Sequence, residues 1–135
     1  MAWDFETDPE YQELLDWADR FVTDEVEPLD FVLQDPYDKS DKEAVSVVRP
    51  LQQKVREKGL WACHLGPELG GKGYGQVKLA LLNEILGRSR WAPSVFGCQA
   101  PDSGNAEILA HFGTPGQKEG TCSPSSTASC RPATR

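Results

Sequence analysis

The chain has 135 residues and a formal net charge of −7, from 14 basic and 21 acidic side chains. This length fits a single domain with one modest core, since domains usually contain about 100–200 residues. The acidic balance argues against a surface that follows nucleic-acid phosphates, because such a surface needs clustered Lys and Arg. We therefore expect no nucleic-acid partner.

The N-terminus and the cysteines indicate the compartment. No apolar run reaches the roughly 18 residues of a membrane span, and the first residues lack the basic-then-apolar order of a secretory signal. We expect no membrane span and a cytoplasmic protein, or a mitochondrial or peroxisomal matrix protein in a eukaryote. The cysteines are widely spaced and form no CxxC pair, so we expect isolated reduced thiols and no metal site: Cys63, Cys98, Cys122 and Cys130.

The first predicted helix is marked at its start by Asp8, a suitable N-cap, and Pro9, a suitable first helical residue. Apolar residues then recur with the spacing of one helical face, at Tyr11, Leu14, Leu15, Ala18, Phe21, Val22 and Val26. The pattern predicts an amphipathic helix that ends before Pro28. Residues 28–40 are predicted to be a connecting loop.

A second helical region begins with Ser40 and Glu43, which have the spacing of a capping box. Pro50 is expected to kink this helix or to open a new one, because its ring clashes with the preceding turn. Gly59 is suited to end the helix in the left-handed conformation. Leu60 and Trp61 are predicted to pack back against that end.

Two further helical regions follow. Residues 76–86 carry apolar side chains on more than one face, so this helix is predicted to be buried on most sides. The next helix is expected from about Ser94, with a disturbance at Pro101, and Thr114 and Pro115 have the pattern of another helix start. No segment alternates with the period of two that is typical of a strand. The predicted fold class is all-α.

A glycine-rich segment at residues 66–73, GPELGGKG, nearly matches the phosphate-binding loop GxxxxGK[ST]. Gly73 stands where that loop needs Ser or Thr, and no buried strand precedes the segment. The glycines are therefore interpreted as a flexible connection between two helices.

Three other candidates for chemistry have ordinary structural interpretations. Cys63 and His64 are neighbours, and adjacent side chains diverge on a helix or in extended chain, which argues against a nucleophile and base pair. His111 is predicted to interact with a helix C-terminus. Glu84 could be a buried acid or base, but an ion pair with Arg88, four positions further on, is the predicted arrangement.

Three stretches resemble the acyl-CoA dehydrogenase family in order and spacing, and they cover about residues 5–119. They are DPEYQELLDWADRFVTDEVEPLD, VREKGLWACHLGPELGGKGYG and LALLNEILGRSRWAPSVFGCQAPDSGNAEILAHFGTPGQKE. The segment PELGG, at 67–71, is similar to the PEEYGG loop of the family. The run APDSGNAEILAHFGTP is the most specific, and it is similar to the subgroup that contains family members ten and eleven. Residues 1–119 are predicted to be the N-terminal helical domain of this family.

The resemblance implies a whole protein that dehydrogenates an acyl-CoA thioester to enoyl-CoA with FAD, and that passes electrons to an electron-transfer flavoprotein. In the family, a carboxylate of the C-terminal domain removes the α-proton and the flavin accepts the β-hydride. FAD is held mainly by the middle and C-terminal domains. No residue of this chain matches that carboxylate or the flavin-contacting Ser/Thr motif. We expect no catalytic residue here, no bound FAD and no activity of the isolated chain.

The family's N-terminal domain does contribute a wall to the acyl-chain pocket. By this resemblance, Val95, Phe96, Cys98 and Gln99 are candidate pocket-lining residues. Ordinary helix packing is the alternative for each of them. Pro101 is expected to bend the helix near the pocket floor.

Residues 120–135 depart from the family, whose members continue with a pattern like YLxPLLDGE. In a DNA sequence that encodes this tail, restoring one C after the Glu119 codon gives KERYLLALLDGELPSGYA, which resembles the family. We hypothesise that a single-base deletion created residues 120–135, and a gene whose shifted frame encodes no such peptide would contradict this. The tail is rich in Ser and Thr without apolar periodicity, and is therefore expected to be disordered.

A second function class remains open, a helical interaction module that docks on a full-length relative. In the family, the helix at 76–86 packs against neighbouring domains. A chain without those domains is expected to expose apolar surface around Leu79, Leu82 and Leu86, and could form a homo-oligomer through it.

Overall fold

The computed structural model describes residues 7–38, 40–67, 71–100 and 102–117. Every regular element within these ranges is helical, which confirms the predicted all-α class. The elements are α1 (Pro9–Phe21), a π-helical turn (Val22–Val26), α2 (Leu29–Val32), α3 (Lys42–Lys58), α4 (Gln76–Leu86), α5 (Ala92–Phe96) and α6 (Asp102–Phe112). The predicted tail at 120–135 and most of the PELGG segment lie outside the described residues.

Helix α1 begins where its sequence predicts, with Asp8 at the N-cap position and Pro9 as the first helical residue. The Asp8 carboxylate does not cap the helix, because it forms an ion pair with Lys78 of α4 instead. The helix continues into the π-helical turn, in which the Glu27 N–H donates to the carbonyl of Val22 over 2.8 Å. The wider turn leaves Val22 and Val26 both fully buried.

The predicted loop at 28–40 contains a short helix, α2. Leu29 is buried and anchors this helix, whereas Phe31 and Val32 are exposed. The loop prediction is therefore wrong for these four residues, since a single buried leucine is too weak a periodic signal to detect.

Helix α3 is capped by Asp41 rather than by Ser40. The Asp41 carboxylate accepts hydrogen bonds from the N–H groups of Glu43 and Ala44, at 3.0 and 3.1 Å. The Ser40 N–H and hydroxyl both donate to Asp38. The predicted capping box therefore does not form, and the N-cap lies one residue later, because Ser40 is held by the preceding turn.

The same helix continues through Pro50 without ending there. Val48 and Leu51, on either side of the proline, are buried in the core. Their packing offsets the hydrogen bond that proline cannot donate. Gly59 ends the helix at φ 75°, as its position predicts.

Helix α4 has the predicted bounds but not the predicted burial. Leu82 and Leu86 are buried, while Leu79 and Ile85 are partly buried and Val77 is 77 % exposed. The helix packs with one stripe against α1, so burial on most sides is wrong for the described structure. The exposed apolar surface predicted around Leu82 and Leu86 is therefore wrong, and Val77 is the large apolar residue of this helix that is exposed.

The ion pair predicted for the end of α4 has different partners. The guanidinium of Arg88 lies 2.7 Å from the carboxylate of Asp19 and 3.5 Å from that of Glu27. Glu84 is exposed. Arg88 therefore pairs with Asp19, on α1, and with Glu27, just after the π-helical turn, rather than with Glu84.

The next helical region divides into α5 and α6. Helix α5 begins at Ala92, slightly before the predicted Ser94, and ends at Gly97, whose φ is 70°. Gly97 thus ends the helix, while the predicted effect of Pro101 lies outside the described residues. After α6, the Thr114 N–H donates to the Gln117 side chain over 2.9 Å, in keeping with the predicted helix start.

The core lies where α1 and its π-helical turn, α3, α4 and α5 meet. The Phe21 and Phe96 rings meet edge to face, with centroids 6.0 Å apart. No helix of the described ranges is long and apolar enough to cross a membrane.

Candidate functional site

The candidate site lies where the C-terminal ends of α3 and α5 meet on one side of the core. Each of these helices ends at a glycine. At the end of α3, the N–H groups of Gly59 and Leu60 donate to carbonyls of the last turn, at 2.9 and 3.1 Å. At the end of α5, the Cys98 N–H donates to the carbonyl of Pro93 over 3.0 Å. These bonds satisfy the carbonyls that a helix C-terminus leaves without intrahelical partners.

A backbone hydrogen bond joins the two ends. The Ala62 N–H donates to the carbonyl of Phe96, the last residue of α5, over 2.9 Å. Ala62 adopts a φ of 49°, in the left-handed region that residues other than glycine seldom adopt. The Gln52 side chain of α3 donates to the carbonyl of Ser94 over 3.0 Å. The segment after α3 is thus fixed against the end of α5.

An aromatic contact reinforces this junction. The Trp61 ring lies so close to Gly97 that a Cβ added at Gly97 would come within 2.6 Å of the ring. The Arg56 guanidinium lies 3.5 Å from the centroid of the same ring, on which it stacks. Gly97 is therefore required both for its left-handed conformation and for the close approach of Trp61.

The four predicted pocket residues fall into two groups. Val95 and Phe96 have no exposed surface and form part of the core. Cys98 and Gln99 follow Gly97 and are half-buried. The Gln99 side-chain oxygen accepts a hydrogen bond from the Ser94 hydroxyl, and its backbone carbonyl accepts from the Ser103 N–H over 2.9 Å. Cys98 and Gln99 are therefore the members of the set that can face a ligand.

The junction also brings together two cysteines that the sequence separates. Cys63 is buried and Cys98 is half-buried, and both are free thiols. Cys63 belongs to the hydrophobic core, and Cys98 packs against that core. The described residues contain no group of three or more His, Cys, Asp or Glu side chains that could hold a metal ion.

The two thiols differ in acidity. Interaction with the Cys98 side chain lowers the pKa of Cys63, and interaction with the Cys63 side chain, together with burial, raises the pKa of Cys98. Cys63 is therefore the more acidic member of the pair.

Two tyrosines complete the surroundings of Cys63. The Tyr11 hydroxyl donates to the carbonyl of Lys78 over 2.6 Å, and the Tyr74 hydroxyl donates to the carbonyl of Gly59 over 3.2 Å. Burial raises the pKa of Tyr11 to about 12 and also raises the pKa of Tyr74, with a smaller contribution from Cys63 in each case. Both phenols are therefore neutral hydrogen-bond donors at neutral pH.

His64 does not pair with Cys63. Burial lowers the pKa of His64, and the charge of Glu107, on α6, opposes that effect. Both imidazole nitrogens are buried without a hydrogen-bond partner among the described residues. His64 therefore makes no hydrogen bond to Cys63 in this structure.

A separate surface groove lies between α1, its π-helical turn and α3, and its size and charge can be compared with those that a flavin needs. It has a volume of about 290 Å³ and is lined by Trp17, Phe21, Glu25, Lys54, Glu57 and Lys58. Pockets for drug-sized ligands span about 300–1,000 Å³, so this groove is too small for a dinucleotide. Its two carboxylates would also repel a pyrophosphate. This groove therefore does not fit FAD.

The fold and the junction define a class of protein, a small all-α domain that presents one half-buried segment, Cys98–Gln99, beside an apolar core. The chain belongs to the acyl-CoA dehydrogenase family: the family model "Acyl-CoA dehydrogenase, N-terminal domain" matches residues 8–127. This match confirms the predicted family and identifies its N-terminal domain. It runs past the predicted boundary at residue 119, to residue 127, so that boundary stays a prediction.

Relatives agree with the subgroup that the sequence indicated. The chain is 34 % identical to mouse acyl-CoA dehydrogenase family member 10 over 116 residues, which are 82 % of this chain and 11 % of that protein. It is 34 % identical to mouse family member 11 over 113 residues, which are 80 % of this chain and 14 % of that protein. The chain thus spans only a small part of these curated relatives.

A solved structure assigned to the acyl-CoA dehydrogenases, from Mycobacterium abscessus, has the same fold. It superposes with a TM-score of 0.68 at 33 % sequence identity, over 85 % of this chain and 31 % of that chain. The likeness therefore extends over most of the helical arrangement described above.

Proposed function

We propose that this chain forms one wall of the acyl-chain pocket of a flavin-dependent acyl-CoA dehydrogenase, and that it is inactive as the isolated chain. The observation that supports this most directly is the family match over residues 8–127 together with the half-buried position of Cys98 and Gln99. The proposed reaction of the whole protein is the conversion of an acyl-CoA thioester to enoyl-CoA. Acyl-CoA and an electron-transfer flavoprotein are its proposed partners.

The wall is built in two layers. Val95 and Phe96 are buried beneath it and hold its backbone in place, while Cys98 and Gln99 offer the surface that faces the acyl chain. The hydrogen bond from Ser94 orients the Gln99 side chain. A pocket of this kind selects among acyl chains mainly by shape, because each methylene contributes only about 0.8 kcal/mol of burial.

Inactivity is the part that purified protein tests directly. The full chain is purified and examined for flavin absorbance and for acyl-CoA-dependent reduction of an electron acceptor. We expect neither, since the family holds FAD mainly through its middle and C-terminal domains and this chain covers only 11 % and 14 % of the two mouse relatives. Turnover with stoichiometric bound flavin would contradict the proposal.

The pocket wall is tested by adding the missing parts. The chain is co-expressed with a polypeptide that carries the middle and C-terminal domains of a relative, and activity is measured against acyl-CoA of several chain lengths. A Gln99→Phe variant should shift the preference towards shorter chains through KM. Gln53→Ala, at an exposed residue of α3, is the matched control and should not shift it. Equal chain-length profiles for both variants would contradict the assignment of Gln99.

A second candidate function is a helical interaction module that docks on a full-length relative. The exposure of Val77, on the uncovered side of α4, favours it, because an apolar surface of this kind is normally covered in a larger assembly. The proposed occupant is the part of a relative that this chain does not span.

Size-exclusion chromatography of the chain with a purified relative tests this second function. A co-eluting complex that Val77→Glu abolishes would support docking through α4. Ala80→Glu, also on exposed surface of α4, checks the extent of the surface. A chain that elutes as a stable monomer beside the relative would contradict it.

A further inference from the structure

Gln99 lies between α5 and α6, and each of these helices holds a different part of it. Its side-chain oxygen accepts a hydrogen bond from the hydroxyl of Ser94, on α5. Its backbone carbonyl accepts a hydrogen bond from the N–H of Ser103, in the first turn of α6, over 2.9 Å. The backbone and the side chain of this half-buried glutamine are therefore held separately.

Ser94 is itself held by a third helix. The Gln52 side chain of α3 donates to the Ser94 carbonyl over 3.0 Å, and the Gly97 N–H donates to the same carbonyl over 3.4 Å. Gln52 and Ser94 are both half-buried, so water competes less for these bonds than it does on an open surface. The Ser94 hydroxyl is therefore presented to Gln99 from a backbone position that α3 supports.

A long polar side chain in the wall of a pocket changes the shape of that wall whenever it changes rotamer. A glutamine that nothing holds samples several rotamers, and a ligand that needs one of them must offset the lost side-chain entropy. The hydrogen bond from Ser94 selects one arrangement of Gln99 before any ligand binds. A wall that is ordered in advance in this way discriminates better between ligands of different shape.

We propose that Ser94 is a positioning residue that selects one side-chain conformation of Gln99, that Gln52 supports it from α3, and that this arrangement sharpens the acyl-chain preference of the pocket wall. The effect on acyl-chain preference rests on the proposed function, because it requires Gln99 to line the pocket. The orientation of Gln99 by Ser94 depends on no ligand. The two parts can therefore fail separately.

The first experiment observes the Gln99 side chain by NMR of the isotopically labelled full chain. The heteronuclear NOE of its side-chain amide reports motion on the picosecond to nanosecond timescale. We expect a rigid amide in the unchanged chain and in Ser94→Thr, which keeps the hydroxyl, and a mobile amide in Ser94→Ala. The matched control is Ser46→Ala, which removes a hydroxyl that donates to the Glu43 carbonyl on exposed surface of α3, and it should leave Gln99 rigid.

Gln52→Leu tests the support from α3 in the same measurement. Leucine cannot donate to the Ser94 carbonyl, so the Gln99 amide should become more mobile, though less so than in Ser94→Ala. Gln53→Leu, which removes only an exposed bond to Glu57, should have no effect. A Gln99 amide that is mobile in the unchanged chain, or equally rigid in Ser94→Ala, would overturn the positioning role. If Ser94→Ala does not fold, the unchanged chain and Gln52→Leu still decide it.

The second experiment measures acyl-chain preference in the co-expressed complex used above for Gln99→Phe. Loss of one hydrogen bond should change the ratio of KM values for long and short acyl-CoA by about 2–10-fold in Ser94→Ala, with kcat little changed. Ser94→Thr should restore the ratio. An unchanged ratio in Ser94→Ala beside a changed one in Gln99→Phe would overturn the role of Ser94 in selectivity. An unchanged ratio in Gln99→Phe would contradict the pocket wall instead, and the NMR result would still decide whether Ser94 orients Gln99.

Discussion

The backbone N–H of Ala62 donates to the carbonyl oxygen of Phe96 over 2.9 Å, and this bond connects the end of α3 to the end of α5. It satisfies a carbonyl that the end of α5 would otherwise leave without a partner. It also fixes the positions of Trp61 and Cys63, one residue to either side. The candidate pocket wall depends on it.

Replacing Gly97 should disrupt this connection. A Gly97→Ala change places a methyl group within 2.6 Å of the Trp61 ring at a backbone φ of 70°. We expect a loss of about 2–4 kcal/mol in the free energy of unfolding, from the unfavourable left-handed conformation and the overpacking together. Urea denaturation measures it.

Gly104→Ala is the matched control for this change. An added Cβ at Gly104 meets nothing within 4 Å, and the residue lies inside α6. Alanine should leave stability unchanged or raise it by up to about 1 kcal/mol. Equal effects at Gly97 and Gly104 would contradict the close approach of Trp61.

The start of α3 provides a second prediction. Asp41→Ala removes an acceptor for two backbone N–H groups, and should lower the free energy of unfolding by about 1 kcal/mol. Ser40→Ala removes only a bond to Asp38, and should have a smaller effect. Urea denaturation of both variants distinguishes the two caps. A larger effect at Ser40 would restore the capping box that the sequence suggested.

Tyr11 should make stability depend on pH in alkaline solution. Its pKa is raised from 10.0 to about 12 in the folded protein, so the unfolded chain loses this proton first as the pH rises. The stabilisation is complete below pH 10 and is lost as the pH approaches about 12. A Tyr11→Phe variant should unfold with a shallower pH dependence in this range.

Tyr37→Phe, at an exposed tyrosine, is the control for that titration. Urea denaturation at several pH values gives the slope for each protein. An unchanged slope in Tyr11→Phe, matching that of Tyr37→Phe, would show that Tyr11 is not the group responsible.

The ion pairs of Arg88 provide a prediction that depends on salt. Arg88→Ala removes the contacts to Asp19 and Glu27. The partners are partly exposed, so the loss should be only about 0.5–1 kcal/mol, and it should shrink at high ionic strength because salt screens exposed charges.

A double-mutant cycle between Arg88 and Asp19 measures this interaction in thermal or urea unfolding. The cycle between Arg88 and Glu84 is its matched control and should give a coupling near zero, since Arg88 is paired elsewhere. A larger coupling to Glu84 would contradict the observed arrangement.

Features that depend on neighbouring residues were predictable from the sequence. The bounds of α4, the left-handed Gly59 and the start of α1 at Pro9 agree with the structure. Each follows from local backbone preferences and apolar spacing, which act within a few residues. The family resemblance was carried by the same contiguous segments.

Features that depend on a choice between partners were not predictable in this way. Asp8 and Arg88 both lie where a local partner was expected, and both pair with a different helix instead. A charged side chain on a surface can reach several partners of similar energy, and the packing of the helices selects among them.

The sequence by itself determined the helical class, the positions of most helices and the family. Local propensity and the periodicity of apolar residues are sufficient for these properties. Only the tertiary structure decided that Val95 and Phe96 are core residues and that the Ala62 N–H bonds to the Phe96 carbonyl. The physical reason is that two distant segments come together only when the ends of α3 and α5 pack, and no spacing within either segment records that contact.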